Sequence, residues 1–364
     1  MFTFLHGFAE SLVLLSAKKH RKMFSSGLML SMFSTFRVRQ IWLPRDIDYT
    51  GGYFTRNLKR ILETDIEFID DKKKRVDVEI VGVFSELPSF LSRYRQKMIL
   101  QMQNFTGHNF IHGGLNKDVA LKYDMRNPPQ TTGYKRRVWF SGENIRPPFG
   151  FDYDATISFD RDNYGKTNIY GPISYLILTE HPSWLDPLLG KRINLQTLAE
   201  PRNLKSIDRK SKLACAFIGN NHNTRLRFIE ELRKFGEVDV FGTAVGRPIK
   251  DKSSVTSQYK FVICFENDLF PGYITEKLVH GYACGAIPLY WGDTREDRVF
   301  NKTAYLNLAN FDSLAEFAYV AGNLSDDDYE RIFSEPLVQN TAPIESLVQD
   351  IRRVFTTPSV FERS

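Results

Sequence analysis

Tyr259-Lys-Phe-Val-Ile-Cys-Phe-Glu-Asn-Asp-Leu-Phe-Pro-Gly-Tyr-Ile-Thr-Glu-Lys277 decides the fold, and Ile287-Pro-Leu-Tyr-Trp-Gly292 completes the unit. Phe261 to Phe265 is an unbroken apolar run of strand length, which reads as a strand buried on both faces. A polar loop carrying Pro271 and Gly272 follows. Thr275 to Cys284 then reads as a helix, with Gly285 just past its end as a stop signal. Ile287 to Trp291 is again a strand, so the pair is parallel and joined by a helical crossover. The N–H groups at the helix start make an anion site. Lys277 stands in that first turn, where the helix dipole disfavours a cation. Its place makes sense if an anion sits nearby; the plainer reading is a solvent-facing lysine.

Working outward, the same alternation recurs. Leu213 to Ile218 reads as a strand, Gly219-Asn220-Asn221 as a turn, Thr224 to Phe235 as a helix stopped by Gly236, and Val238 to Phe241 as a strand. Upstream, Gln196 to Lys212 turns polar and basic around Pro201 and reads as an interdomain linker. Before it, Ile41 to Leu43 and Val78 to Phe84 read as strands and Ser89 to Met102 as a helix. Arg137 to Phe140 is a short strand that empties into Ser141-Gly142-Glu143-Asn144, followed by Pro147-Pro148. A strand ending in a small polar turn is where α/β folds place ligand-contacting residues. At 364 residues the chain is too long for one ordinary core. The expected division is an extension over 1–36, a first domain over 37–200, a second over 201–340, and a C-terminal helix and tail over 341–364.

Hydrophobic residues at 42% and charged residues at 25% exclude a disordered chain. The net charge of +6 can steer an anionic ligand but selects none. No RNA-binding aromatic signature, zinc-finger spacing or basic region with heptads is present, so nucleic acid is not an expected partner. Cys215, Cys264 and Cys284 sit among apolar neighbours and read as buried free thiols, as in a reducing compartment. Sequons at Asn104, Asn301 and Asn323 matter only in a secreted chain. The basic run Lys18 to Lys22 lies between two apolar stretches, neither of spanning length. It reads as an interfacial helix giving peripheral membrane contact, or as an extension with little structure.

The segment quoted first resembles the donor-binding signature of the α-1,3-fucosyltransferases, glycosyltransferase family 10. Phe265-Glu266-Asn267, Tyr273-Ile274-Thr275-Glu276-Lys277 and Ile287-Pro288 follow the family's order and spacing. Arg137-Val-Trp-Phe-Ser-Gly-Glu-Asn144 is similar to the segment that carries the catalytic carboxylate in bacterial members. Asn221-His-Asn-Thr-Arg225 is similar to the segment whose arginine meets the diphosphate. Phe140 departs from relatives that carry tyrosine there.

The resemblance implies an α/β fold of the GT-B kind, two facing Rossmann-like domains with a cleft between them. It implies inverting transfer of L-fucose from GDP-fucose to an acceptor oligosaccharide or glycoconjugate, with α-1,3 linkage to N-acetylglucosamine and no further cofactor. Glu143 is then the catalytic base, and Arg225, Asn267, Tyr273, Glu276 and Lys277 bind the donor. On its own Glu143 would read as a surface glutamate, and Arg225 as a helix-surface charge. Asp152-Tyr-Asp154 has the form of a metal-binding pair, but it lies outside the phosphate site, and no metal is expected. His108 and His112 lack a third ligand and read as structural or surface residues. Another linkage or GDP-sugar on the same fold is the nearest alternative, and a silent glycan-binding relative the next. Bacterial origin would place the chain in the cytoplasm or on the inner membrane face.

Overall fold

The computed structural model describes residues 35–41, 54–69, 71–82, 131–145, 153–161, 167–179, 185–186, 188–219, 222–295 and 297–357. The basic run Lys18 to Lys22, the helix expected over Ser89 to Met102, Asn104, His108, His112, Pro147-Pro148, Asp152, Asn220 and Asn221 lie outside the described residues.

Short apolar runs alternating with helices give two separate parallel sheets. The first is built from β1 (Phe36–Ile41), β2 (Ile66–Phe68), β3 (Val76–Gly82), β4 (Tyr134–Phe140), β5 (Ala155–Ser158) and β6 (Thr167–Tyr170). Their order is β2-β1-β3-β4-β5-β6 and every pairing is parallel. The first strand begins at Phe36 rather than Ile41. On one face Val38, Val78, Ile80 and Val138 are buried with Leu58 and Ile61 of α1 (Thr55–Leu62). On the other face Arg39, Glu79 and Arg137 stand side by side in register. Both arginines donate to the Glu79 carboxylate at 2.7 Å. All three are buried, and the pairing offsets a desolvation cost that one of them alone would impose.

After α2 (Ile173–Leu178) come the antiparallel pair β7 (Leu185–Asp186) and β8 (Lys191–Arg192), and then α3 (Leu195–Leu198). The polar stretch expected as a linker holds the end of α3 and a 3-10 turn over Leu204–Arg209. It is pinned by Arg202, whose guanidinium lies 3.9 Å from the Tyr282 ring centre and 4.0 Å from that of Phe333. The stretch runs between the two sheets, and its arginine anchors it to the second.

The second sheet contains β9 (Lys212–Phe217), β10 (Val238–Phe241), β11 (Tyr259–Phe265), β12 (Ile287–Trp291) and β13 (Leu306–Asn307). The order is β10-β9-β11-β12-β13, all parallel. Every residue of β11 but Lys260 is buried, as its apolar run requires. The crossovers are α4 (Asn223–Leu232), α5 (Lys252–Thr256) and α6 (Glu276–Ala283); α4 ends at Leu232 rather than Phe235. Then α7 (Leu314–Gly322) packs on α4, with Phe228 stacked between Phe265 and Phe317 at 4.9 and 4.8 Å. Such pairs add about 0.5–1.5 kcal/mol beyond area burial. Gly285 takes φ +83 just after α6, as its stop role demands. The three cysteines are buried and free.

After α8 (Asp326–Ser334), α9 (Ala342–Thr356) leaves the second sheet and returns to the first. Phe355 packs near Phe36 and Phe54, at 6.4 and 6.1 Å. Arg136 donates to the Val354 and Thr357 carbonyls at the helix C-terminus, where a cation is favoured. Among the described residues no helix is long and apolar enough to cross a membrane.

Candidate active site

The loops at the C-terminal ends of the two sheets meet. From the second, the loop after β11 crosses to the first and turns at Gly272, whose φ is +81. A Cβ there would stand 2.6 Å from the Phe159 carbonyl oxygen, so only glycine fits. Tyr170 donates to the Gly272 carbonyl at 3.2 Å, and Phe159 packs edge-on to Phe270 and Tyr273. Asn144 donates to Asp268 across the same seam at 3.3 Å.

Behind this loop sits Glu266, fully buried. Its carboxylate accepts from the Thr275 amide at 2.8 Å and hydroxyl at 2.6 Å, from Lys277 at 3.1 Å and from Tyr290 at 3.0 Å. One buried anion thus ties the end of β11 to the start of α6 and to β12. The anion that the position of Lys277 demands is, in the first instance, the chain's own Glu266. Burial works against the Lys277 charge, but Glu266 and then Glu276 outweigh it and hold the ammonium above the usual lysine range. For Glu276 burial is likewise outweighed, by Lys277, His280 and Lys252, and its carboxyl is held down at about 2. Both groups stay charged at neutral pH.

Beside this cluster lies a cavity of about 230 Å³ at the mouth of β9 and β11, lined by Arg225, Asn267, Glu276 and Lys277. Arg225 is buried, not a helix-surface charge, and its Nη2 donates to the Phe265 carbonyl at 2.6 Å. That bond ties the guanidinium to the end of β11. Lys252 and His280 also line it. Sequence reasoning missed both, since α5 matches no quoted motif and His280 reads as an ordinary helical position. His280 Nε2 lies 3.3 Å from the buried Asp186 carboxylate.

Glu143 comes from the other sheet, in the turn after β4. Its backbone carbonyl accepts from the Ser141 hydroxyl at 2.7 Å, which fixes the turn. Its carboxylate accepts from the Tyr273 hydroxyl at 3.2 Å. Burial pushes the Glu143 carboxyl up; Lys277 pulls it down, Glu276 pushes it up and the Tyr273 bond pulls it down. A carboxylate raised this way is a better proton acceptor than an exposed one. The structure therefore brings Glu143, Tyr273, Glu276 and Lys277 within electrostatic reach of one another. Arg225, Asn267, Glu276 and Lys277 share the cavity, whose lining includes neither Glu143 nor Tyr273. Of the metal-like pair, Asp154 accepts from the Arg137 amide at 2.7 Å. Among the described residues no group of three His, Cys, Asp or Glu is placed to hold a metal ion.

Residues 207–334 match the family model described as glycosyltransferase family 10 (fucosyltransferase), C-terminal. The chain carries a glycosyltransferase family 10 domain. The family 10 domain spans β9 to α8 and so contains the Glu266 cluster and the cavity. The chain is 29% identical over 203 residues to the α-(1,3)-fucosyltransferase FucT of Helicobacter pylori, covering 50% of this chain and 42% of that one. It is 24% identical over 224 residues to the 4-galactosyl-N-acetylglucosaminide 3-α-L-fucosyltransferase 9 of Mus musculus, covering 58% and 56%. The chain thus spans about half the length of these curated relatives.

In overall shape it is similar to a crystal structure of an α1,3-fucosyltransferase, with a TM-score of 0.61 at 18% identity over 91% of this chain and 92% of that one. A structure of an α1,3-fucosyltransferase with GDP-fucose gives 0.59 at 18% identity over 93% and 96%. The likeness extends well beyond the family 10 domain to both sheets. The fold is α/β, of the GT-B kind.

Proposed function

We propose that the protein transfers L-fucose from GDP-fucose to a hydroxyl of an acceptor glycan, with inversion at the fucose anomeric carbon. The observation that carries this is the half-buried Glu143 carboxylate, set on the first sheet opposite a cavity of the second that is lined by Arg225 and Lys277. One carboxylate facing one cationic pocket suits a single displacement. Glu143 accepts the proton of the acceptor hydroxyl as its oxygen attacks, and GDP departs on the far side. Arg225, Lys277 and the N–H groups opening α6 meet the charge that develops on the diphosphate. Asn267, Tyr273 and Glu276 hold the donor, with Glu276 accepting from ribose or fucose hydroxyls.

The linkage we infer is α-1,3 on N-acetylglucosamine-containing acceptors, in line with the names of the relatives. Residues 37–200 hold the acceptor and 201–340 the donor. The test is to offer the full chain GDP-fucose and other nucleotide-sugars with a glycan acceptor array, and to assign linkage and anomeric configuration by NMR. Expected is a fucosylated product with inverted configuration. Transfer from another nucleotide-sugar alone, or a retained configuration, would overturn the reading.

A further inference from the structure

We propose that a second cavity, of about 690 Å³, is the subsite for a neutral sugar unit of the acceptor beyond the one that is attacked. This rests on the transfer reading above. The cavity lies where three parts of the chain meet: Tyr170 and Tyr175 of the first unit, Asp297 and Arg298 after β12, and Ser346 and Leu347 of α9. It is joined to the base by one short segment. Tyr170, in its wall, holds the Gly272 carbonyl, and the next residue, Tyr273, holds Glu143. Its volume falls within the roughly 300–1,000 Å³ typical of small-molecule sites.

The lining selects the class of ligand. The lining carries Arg161, Arg295 and Arg298 together with Asp297 and Asp350. A phosphate or sulfate would meet the carboxylates, and a cation would meet the arginines; either would lose solvation without a matched partner. A sugar hydroxyl both donates and accepts, so a polyhydroxylated ring satisfies both kinds of group. Pro343 and the Tyr170 ring, both partly exposed, supply apolar surface for its C–H faces.

The polar groups are fixed beforehand. Asp297 accepts from Tyr175 at 2.7 Å and from the Val299 and Phe300 amides at 2.9 and 2.8 Å. Arg161 lies 3.9 Å over the Tyr170 ring, and Arg295 is clamped by Asp293. The α9 wall is seated closely: a Cβ on Gly171 would stand 2.9 Å from a Leu347 methyl. Such a site loses little further freedom on binding.

The experiment compares a monosaccharide acceptor with a tri- or tetrasaccharide containing the same attacked residue, on wild type, Arg298→Ala and Ser346→Tyr. Both positions are exposed, so the fold should tolerate each change. In wild type the longer acceptor should have a KM lower by about tenfold, equivalent to about 1.4 kcal/mol. Both variants should lose most of that advantage, with kcat, GDP affinity and the monosaccharide KM unchanged. Retention of the length advantage in both variants overturns the proposal, and so does an equal loss on short and long acceptors. So does a gain in affinity confined to acidic oligosaccharides. If wild type transfers to no acceptor, the transfer reading fails by itself. The cavity is then tested by saturation-transfer NMR with the neutral oligosaccharide, where no signal sensitive to Ser346→Tyr sinks the subsite too.

Discussion

Tyr273 and Glu143 come from different sheets, and the tyrosine hydroxyl donates to the glutamate Oε2 at 3.2 Å. Tyr273 is itself buried against Phe159 and Phe270. The candidate base is thus hydrogen-bonded by a residue of the loop after β11. Burial of Tyr273, with the charge of Glu143 next, pushes its phenol well above the usual range. It remains a donor throughout the working pH range.

Glu143→Gln should leave GDP affinity intact and lower kcat by roughly 10²–10⁴-fold, the usual contribution of a positioned base. Burial raises the folded-state pKa of Glu143. Its contribution to stability is therefore fully present below the unfolded value and lost as pH rises through the folded one. At neutral pH the charge costs stability, so the Gln variant should melt no lower than wild type. A lower Tm together with lost GDP binding would make Glu143 a structural residue.

Tyr273→Phe tests the seam. The Tyr273 bond pulls the Glu143 carboxyl down, so without it the carboxyl titrates at a higher pH. The acidic limb of the kcat/KM profile should move toward neutrality. An unmoved limb with lower kcat would mean that Tyr273 acts on the donor alone.

Arg225→Ala and Lys277→Ala should each weaken GDP binding and slow transfer, by roughly 2–4 kcal/mol as for other preorganised charge stabilisers. Lys277→Ala should also lower Tm, because it removes the counter-charge of the buried Glu266. Calorimetry with GDP and a thermal melt separate the two effects. Unchanged affinity in either variant removes that residue from the donor site.

Glu266→Gln should be destabilising by about 1–3 kcal/mol, the cost of an unmet buried polar contact. The carboxylate accepts from four donor groups on three residues, and an amide must present an N–H to one of them. GDP affinity should fall with stability, since the start of α6 loses its tie to β11. A variant with wild-type Tm would show that the cluster adds nothing to the fold.

Transfer should persist in excess EDTA, because cationic side chains and a helix N-terminus fill the diphosphate role. Full loss of activity, restored by manganese and abolished in Asp152→Asn, would move the assignment to the Asp152-Tyr-Asp154 pair.

The sequence alone determined the strand at Phe261 to Phe265, the helix from Thr275 and the stop at Gly285, because burial periodicity and glycine's left-handed φ act over a few residues. It also placed Lys277 in a first turn and so called for an anion. Which anion was a tertiary matter: Glu266 becomes one only when β11, β12 and α6 close around it. The stretch from Gln196 to Lys212 was legible as polar, but its anchor was not, since Arg202 finds Tyr282 and Phe333 only in the folded chain. Arg225 was legible as a charge but not as a buried one, since its partner is a carbonyl 40 residues away. Lys252 carried no signal because α5 is short and lies outside the segments similar to the family. The meeting of Glu143 and Tyr273, 130 positions apart, depends on how two sheets face each other. No local pattern encodes that distance, because it is fixed by packing at Gly272, Phe159 and Phe270 rather than by either residue's neighbours in sequence.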